Sequence, residues 1–298
     1  MRSNASNQSH PFLGTIDVLY CENDTDIPWD TLSIDVIELV YEAEYFKILR
    51  TGNHTIWINI DHRALVQIQL NQEKAFVYVT PSMLRDTFYF AYGIIYLTLS
   101  FFLRRANYFP IHASAVAKHN KALIFTGNSR SGKTTTSLAM LRKGFNLLSD
   151  DTILLHKDNS RFTIYSVPIK VSITPETNQL LPELAETLFP LSVRNNGKYY
   201  LDIDKVSQGA FQKDCEPHLL FFPVITGNTE TRVEPLSALQ ATEKLLHKSF
   251  TSIDSETTTN NFNILCALAT ASVAYTLYLG TDLERMAEQV AQLFDASL

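Results

Sequence analysis

The chain has 298 residues, of which 45% are hydrophobic and 19% charged, with a formal net charge of -6. That length buries a substantial core in one large domain or two modest ones, and the composition excludes a disordered or fibrous chain. An acidic balance with no long Lys/Arg run argues against a nucleic-acid backbone as partner. Cys21, Cys215 and Cys266 lie far apart without metal-ligand spacing, which predicts a reducing, cytoplasmic setting and no structural zinc.

Residues 1–10 are polar and read as a disordered tail, with no apolar core of signal-peptide length following them. A β-rich region is expected over 11–106, with strands at 15–20, 46–50, 55–60, 66–70 and 75–79. Alternating residues separated by turns such as Thr51-Gly52-Asn53-His54 predict antiparallel hairpins exposed on one face. A helix over 83–106 closes the region. Its apolar run at 88–103 has sixteen residues, short of the ~20 that a membrane span needs, and suits either a buried helix or an interface between copies of the chain.

A second region is expected over 107–298. It opens with a strand at 110–117, a tight turn at 118–121 and a second strand at 122–126. Next comes Gly127-Asn128-Ser129-Arg130-Ser131-Gly132-Lys133-Thr134, which fits the pattern GxxxxGK[ST] in the strand, loop and helix context that the pattern requires, the helix running over 135–143 to Gly144. The two glycines let the backbone close around phosphate oxygens, and the loop amides, with Thr135 at the helix start, supply positive potential. Lys133 adds a cation toward the outer phosphates, and Thr134 offers a hydroxyl to Mg²⁺. Strands are expected at 145–149, 152–156, 161–166 and 169–173, and an extended connection or lid at 177–215. Helices at 236–247 and 260–272, a strand at 275–279 and a last helix over 282–293 finish the chain.

Asp150 and Asp151 follow Lys133 by seventeen and eighteen residues, one helix and one returning strand away, which brings both carboxylates to the rim of the loop. Adjacent residues on a strand point to opposite sides, so one acid suits Mg²⁺ and the other an acceptor hydroxyl. His112 lies fifteen residues before the loop, on the strand paired with the one that enters it. There an imidazole serves to orient the base or share its proton; a lone His also serves as a hydrogen-bonded structural residue.

With His-Ala-Ser, GNSRSGKT and Ser-Asp-Asp in this order and spacing, the segment 111–155 resembles the catalytic domain of HPr kinase/phosphorylase and its kinase-only relatives, such as those that modify lasso peptide precursors. The resemblance implies an α/β (α+β) kinase domain of the phosphoenolpyruvate carboxykinase-like type behind a β-rich N-terminal region. ATP would lie on the loop, held by Gly127 to Thr135. Thr134 and Asp151 would bind Mg²⁺, and Asp150, assisted by His112, would be the general base, with the reverse assignment of the two acids as the alternative.

Tyr165-Ser166-Val167-Pro168-Ile169-Lys170-Val171 lacks the second Gly-rich signature of the HPr enzymes, and 12–80 matches nothing in their N-terminal domain. Both departures favour the kinase-only relatives. Arg194 and Lys198 are candidates for neutralising the transferring phosphoryl group. The expected activity is transfer of the ATP γ-phosphate to a Ser hydroxyl of a peptide or small protein. A small-molecule kinase and a nucleotide-binding regulator without transfer are the alternatives.

Overall fold

The computed structural model describes residues 14–33, 37–87, 89–158, 161–167, 171–190, 199–201, 212–249 and 255–298. They divide into two units, one comprising Met1–Asn107 with Ser252–Thr257 and the other Tyr108–Thr251 with Thr258–Leu298.

Six strands are present among the described residues of the first unit: β1 (Thr15–Tyr20), β2 (Ile37–Glu42), β3 (Phe46–Thr51), β4 (Thr55–Ile60), β5 (Ala64–Gln69) and β6 (Lys74–Val79). They form one sheet in the order β1-β6-β5-β4-β3-β2. β3 to β6 make the expected antiparallel meander, which the unexpected β2 extends, but β1 departs from the hairpin expectation by pairing with β6 in parallel, from Thr15↔Lys74 to Tyr20↔Val79. The connection from β1 to β2 is the reason. It runs from one sheet edge to the other and lays Ile27, Trp29 and Leu32 over Leu49, Trp57, Leu65 and Tyr78.

On the opposite face Ile56, Ile58, Val66, Ile68 and Val77 pack against Ile94, Phe101 and Phe102. The central strands are therefore buried on both faces, where one-sided exposure was expected. The predicted helix at 83–106 is broken into α1 (Pro81–Arg85), a π-helical stretch Tyr89–Tyr96 and α2 (Leu97–Arg105). Asp86 leaves the helix at φ -85, ψ 75, and its carboxylate then accepts from the Tyr89 amide at 3.2 Å, restarting the helix on a new cap. Among the described residues no helix is long and apolar enough to cross a membrane.

The second unit begins with β7 (Tyr108–Lys118), β8 (Lys121–Thr126), α3 (Lys133–Leu141), β9 (Asn146–Ser149), β10 (Thr152–Asp158) and β11 (Arg161–Ser166). β12 (Ser172–Ile173) falls within the strand expected at 169–173. α4 (Pro175–Leu180) runs into the region expected to be an extended connection or lid, which holds a 3-10 segment Pro182–Thr187, β13 (Leu188–Pro190) and β14 (Tyr199–Leu201), and β12, β13 and β14 form a small sheet. Then follow β15 (Asp214–Ile225), β16 (Arg232–Leu236), α5 (Ala238–Ser249), α6 (Ser255–Ala271), β17 (Val273–Leu279) and α7 (Leu283–Ser297).

The main sheet has the order β11-β10-β7-β8-β15-β17-β16, with β9 pairing beside β7. β15 lies parallel to both β8 and β17 at the centre of this sheet. No sequence signal marked it, because Leu219, Leu220, Phe221 and Phe222 are all buried and a strand covered on both faces loses the alternation that betrays a half-exposed one. Pro217 and Pro223 mask it further.

One face of the sheet buries Ile111, Ala113, Ile124 and Leu220 beneath Leu245 of α5 and Leu265 and Leu268 of α6. The other buries Phe125, Phe221 and Leu277 beneath Leu138 and Met140 of α3 and Met286, Val290 and Phe294 of α7. Phe221 is fully buried and stacks between Phe125 and Tyr275 with ring centroids 5.5 Å apart on both sides. Phe221→Ala should cost about 3–5 kcal/mol. The expected result is a lower urea midpoint at unchanged slope in equilibrium unfolding.

Candidate active site

β8 runs directly into the glycine-rich loop, and three residues there hold positive φ: Gly127 at 154, Arg130 at 61 and Gly132 at 98. Gly132 holds a φ of 98 that L side chains rarely adopt, and a Cβ there would stand 2.4 Å from the tip of the Leu279 side chain, which would have to shift. The Ser131 amide donates to the Asn128 carbonyl at 3.2 Å and closes the loop. α3 starts at Lys133, two residues earlier than expected, and the Gly132 carbonyl accepts from the Thr136 amide and hydroxyl, both at 2.9 Å. The helix N-terminus therefore abuts the loop itself, where its amides are best placed for an anion. Lys133 is buried at 7% exposure and donates to the carbonyls of Gly127 at 3.1 Å and Asn128 at 2.9 Å, which sets its ammonium against the loop backbone.

Asp150 and Asp151 follow β9 in the turn to β10 and face different partners. Asp150 is buried beside the Thr134 hydroxyl and within electrostatic reach of Lys133. Burial pushes its pKa from 3.8 up to about 6, and the Asp151 charge adds to the rise; the Thr134 hydroxyl, the Ser172 amide and Lys133 oppose it. Its Oδ1 atom has no hydrogen-bond partner. Asp151 is exposed, and its carboxylate lies 3.3 Å from Nδ1 of His112 and accepts from the Thr152 hydroxyl at 3.1 Å. β10 pairs with β7 so that Thr152 stands opposite His112, and the Ala113 amide donates to the Asp151 carbonyl at 3.0 Å. The sheet itself therefore delivers His112 to Asp151.

A group of buried hydroxyls fastens these pieces together. Ser114 on β7 hydrogen-bonds to Ser137 on α3 and donates to the Ser149 carbonyl at 3.2 Å, while Ser137 also bonds the Lys133 carbonyl at 2.7 Å. Ser149 in turn donates to the Thr152 carbonyl at 2.6 Å. One network thus ties the helix that carries Lys133 to the strand that carries His112 and to the turn that carries both acids. Ser114 and Ser149 sat inside the sequence motifs, but only their burial shows this role. Thr135 bonds the Thr177 hydroxyl on α4 at 2.9 Å. Glu176, on the same short helix, has its carboxyl held below the usual range chiefly by the Thr174 hydroxyl, with Arg130 of the loop contributing. Sequence reasoning gave α4 no role here, and nothing in its residue types signals one. Asn128, Ser129 and Arg130 are exposed at the loop tip, while Arg194 and Lys198 lie outside the described residues.

Among the described residues no group of three or more His, Cys, Asp or Glu side chains converges as a metal cage. Mg²⁺ needs no such cage, since it takes one or two protein oxygens and completes its shell with water and phosphate. The Thr134 hydroxyl and the unpartnered Asp150 oxygen form an oxygen pair of that kind.

The sequence matches no protein-family model and none of the curated proteins. Among solved structures, the chain is similar to the HPr(Ser) kinase/phosphatase from Coxiella burnetii, at 14% identity with a TM-score of 0.34, over 63% of this chain and 96% of that one.

The buried acid makes stability depend on pH. Because the folded pKa of Asp150, about 6, lies above its ordinary 3.8, the folded state holds the proton more tightly, and stability falls as pH rises between those values. The full effect is at most about 3 kcal/mol. Asp150→Asn should therefore melt higher than the wild type at pH 8, with the difference vanishing near pH 4, as read by thermal unfolding at both pH values.

Proposed function

We propose that this protein is an ATP-dependent phosphotransferase that moves the γ-phosphate to a hydroxyl, specifically a Ser hydroxyl of a peptide or small protein. The observation that carries the reading is the division of labour between two adjacent acids. Asp150 faces Thr134 and Lys133 inside the loop, while Asp151 faces His112 at the surface. A binding-only module has no use for a second carboxylate held by an imidazole just outside the phosphate cradle.

The loop amides and Lys133 hold the nucleotide's outer phosphates and stabilise charge spread over the transferring group. Thr134 and Asp150 are the pair that would hold Mg²⁺, which when bound neutralises phosphate charge. Asp151 accepts the proton of the acceptor hydroxyl, whose oxygen bonds the γ-phosphorus as the bond to the bridging oxygen breaks and ADP leaves. His112 keeps the Asp151 carboxylate oriented. This assigns the base to Asp151 and the magnesium side to Asp150, the alternative that the resemblance left open. Its support is that Asp150 is the acid that touches Thr134. Arg194 and Lys198 stay candidates for contacting the transferring phosphoryl group.

Three variants test the proposal. Lys133→Ala should weaken ATP binding at least about tenfold by calorimetry, the cost of one charge-assisted contact. Asp151→Asn should keep ATP affinity but lower transfer by about 10²–10⁴-fold, measured as phosphate-sized mass gain on Ser peptides. Asp150→Asn should raise the magnesium concentration needed for half-maximal rate. Full transfer by Asp151→Asn would overturn the base assignment, and unchanged ATP affinity in Lys133→Ala would overturn the nucleotide reading itself.

A further inference from the structure

β7 carries two different faces. Phe109, Ile111 and Ala113 belong to the core, so Tyr108, Pro110 and His112 share the opposite face of the strand. Pairing extends that face sideways, because cross-strand partners point the same way. Tyr108 stands opposite His156, Pro110 opposite Leu154 and His112 opposite Thr152, and Leu154 stands opposite Tyr165 on β11.

The result is a strip with aromatic rings at one end and His112 at the other. Tyr108 and His156 stack with centroids 4.4 Å apart and planes 15° apart, and Tyr165 tilts onto both, at 5.7 Å and 6.4 Å. Tyr108, Leu154, His156 and Tyr165 are all half-buried, and none belongs to either core of the unit. Tyr108 and His112 are four residues apart on one strand, or about 13 Å.

Resting on the phosphotransfer reading above, we infer that this strip is the docking track of the acceptor peptide, with Tyr108, His156 and Tyr165 receiving an aromatic side chain four residues from the phosphorylated hydroxyl. In-line transfer brings the acceptor to the γ-phosphate from the side opposite the departing ADP, which is the side of Asp151 and His112 in that reading. The chain that carries the hydroxyl must then cross the surface next to His112, and the strip is continuous with it by strand register. An extended peptide advances at the same rise as β7 and turns alternate side chains toward the sheet, so a residue four positions from the Ser reaches the rings with the correct facing. The half-buried rings favour an aromatic partner there, over an apolar floor of Pro110 and Leu154. A small metabolite held at Asp151 would not span that distance.

The probe is a positional-scanning library of short peptides with one central Ser, each fixing a single residue type at one position, incubated with ATP and Mg²⁺ and read by phosphate incorporation. An aromatic residue fixed four positions from the Ser should raise incorporation about tenfold over Ala at that position, the factor that ~1.4 kcal/mol of ring contact supplies. Tyr108→Ala and Tyr165→Ala should abolish that preference and Tyr165→Phe should retain it, with ATP affinity, a property of the loop, as the folding control. A flat profile at that position, or a preference indifferent to loss of the rings, overturns the docking track and leaves the kinase standing. Labelling of small hydroxyl compounds alone overturns both the track and the peptide acceptor. No labelling of any acceptor by protein that binds ATP overturns the proposed function together with the track.

Discussion

Withdrawing the Asp150 carboxylate from water carries a free-energy cost that Thr134, a backbone amide and Lys133 only partly offset, and burial together with the Asp151 charge pushes its pKa up to about 6. A chain keeps such a group only where surrounding structure holds it in place and another role compensates. Here the surrounding structure is the junction of β9, β10 and α3. The acid sits where the returning strand meets the start of the loop helix, so every element that fixes the loop also fixes the acid.

The hydroxyls of Ser114, Ser137 and Ser149 show how that junction is made rigid. They are fully or almost fully buried, and each spends its hydrogen bonds on a neighbouring element. Hydroxyl bonds of this kind hold their partners at fixed distances, whereas apolar contacts tolerate small slides. The helix bearing Lys133 is thereby registered against the strand bearing His112, and the same registration passes along β7 to the aromatic rings at its other end. Loop, acid pair and aromatic strip are three parts of one sheet rather than three separate attachments.

Legibility in the sequence followed the locality of the physics. The glycine-rich loop is a contiguous pattern whose geometry depends on its own glycines, and its positive φ values at Gly127 and Gly132 are those that the residue types imply. The meander of β3 to β6 was legible because period-two alternation and short turns are local as well. β2 and β15 were not. β2 is an exposed edge with little burial pattern, and β15 is covered on both faces and interrupted by prolines. The break of the helix at Asp86 hangs on a single cap bond, and the parallel placement of β1 on a crossing over the sheet face. Neither leaves a periodic trace.

Chain order and residue type alone determined that a glycine-rich loop of the pattern GxxxxGK[ST] lies at 127–134, that it follows a buried strand and opens a helix, and that His112 precedes it by fifteen residues while Asp150 and Asp151 follow Lys133 by seventeen and eighteen. Those statements need only short-range geometry. Which acid turns inward to Thr134 and which turns outward to His112 was decided by the tertiary structure, because two adjacent carboxylates are chemically identical until burial and strand pairing separate their surroundings. The same holds for Tyr108, His156 and Tyr165. They come from three different strands, and only the register of the sheet makes them one surface.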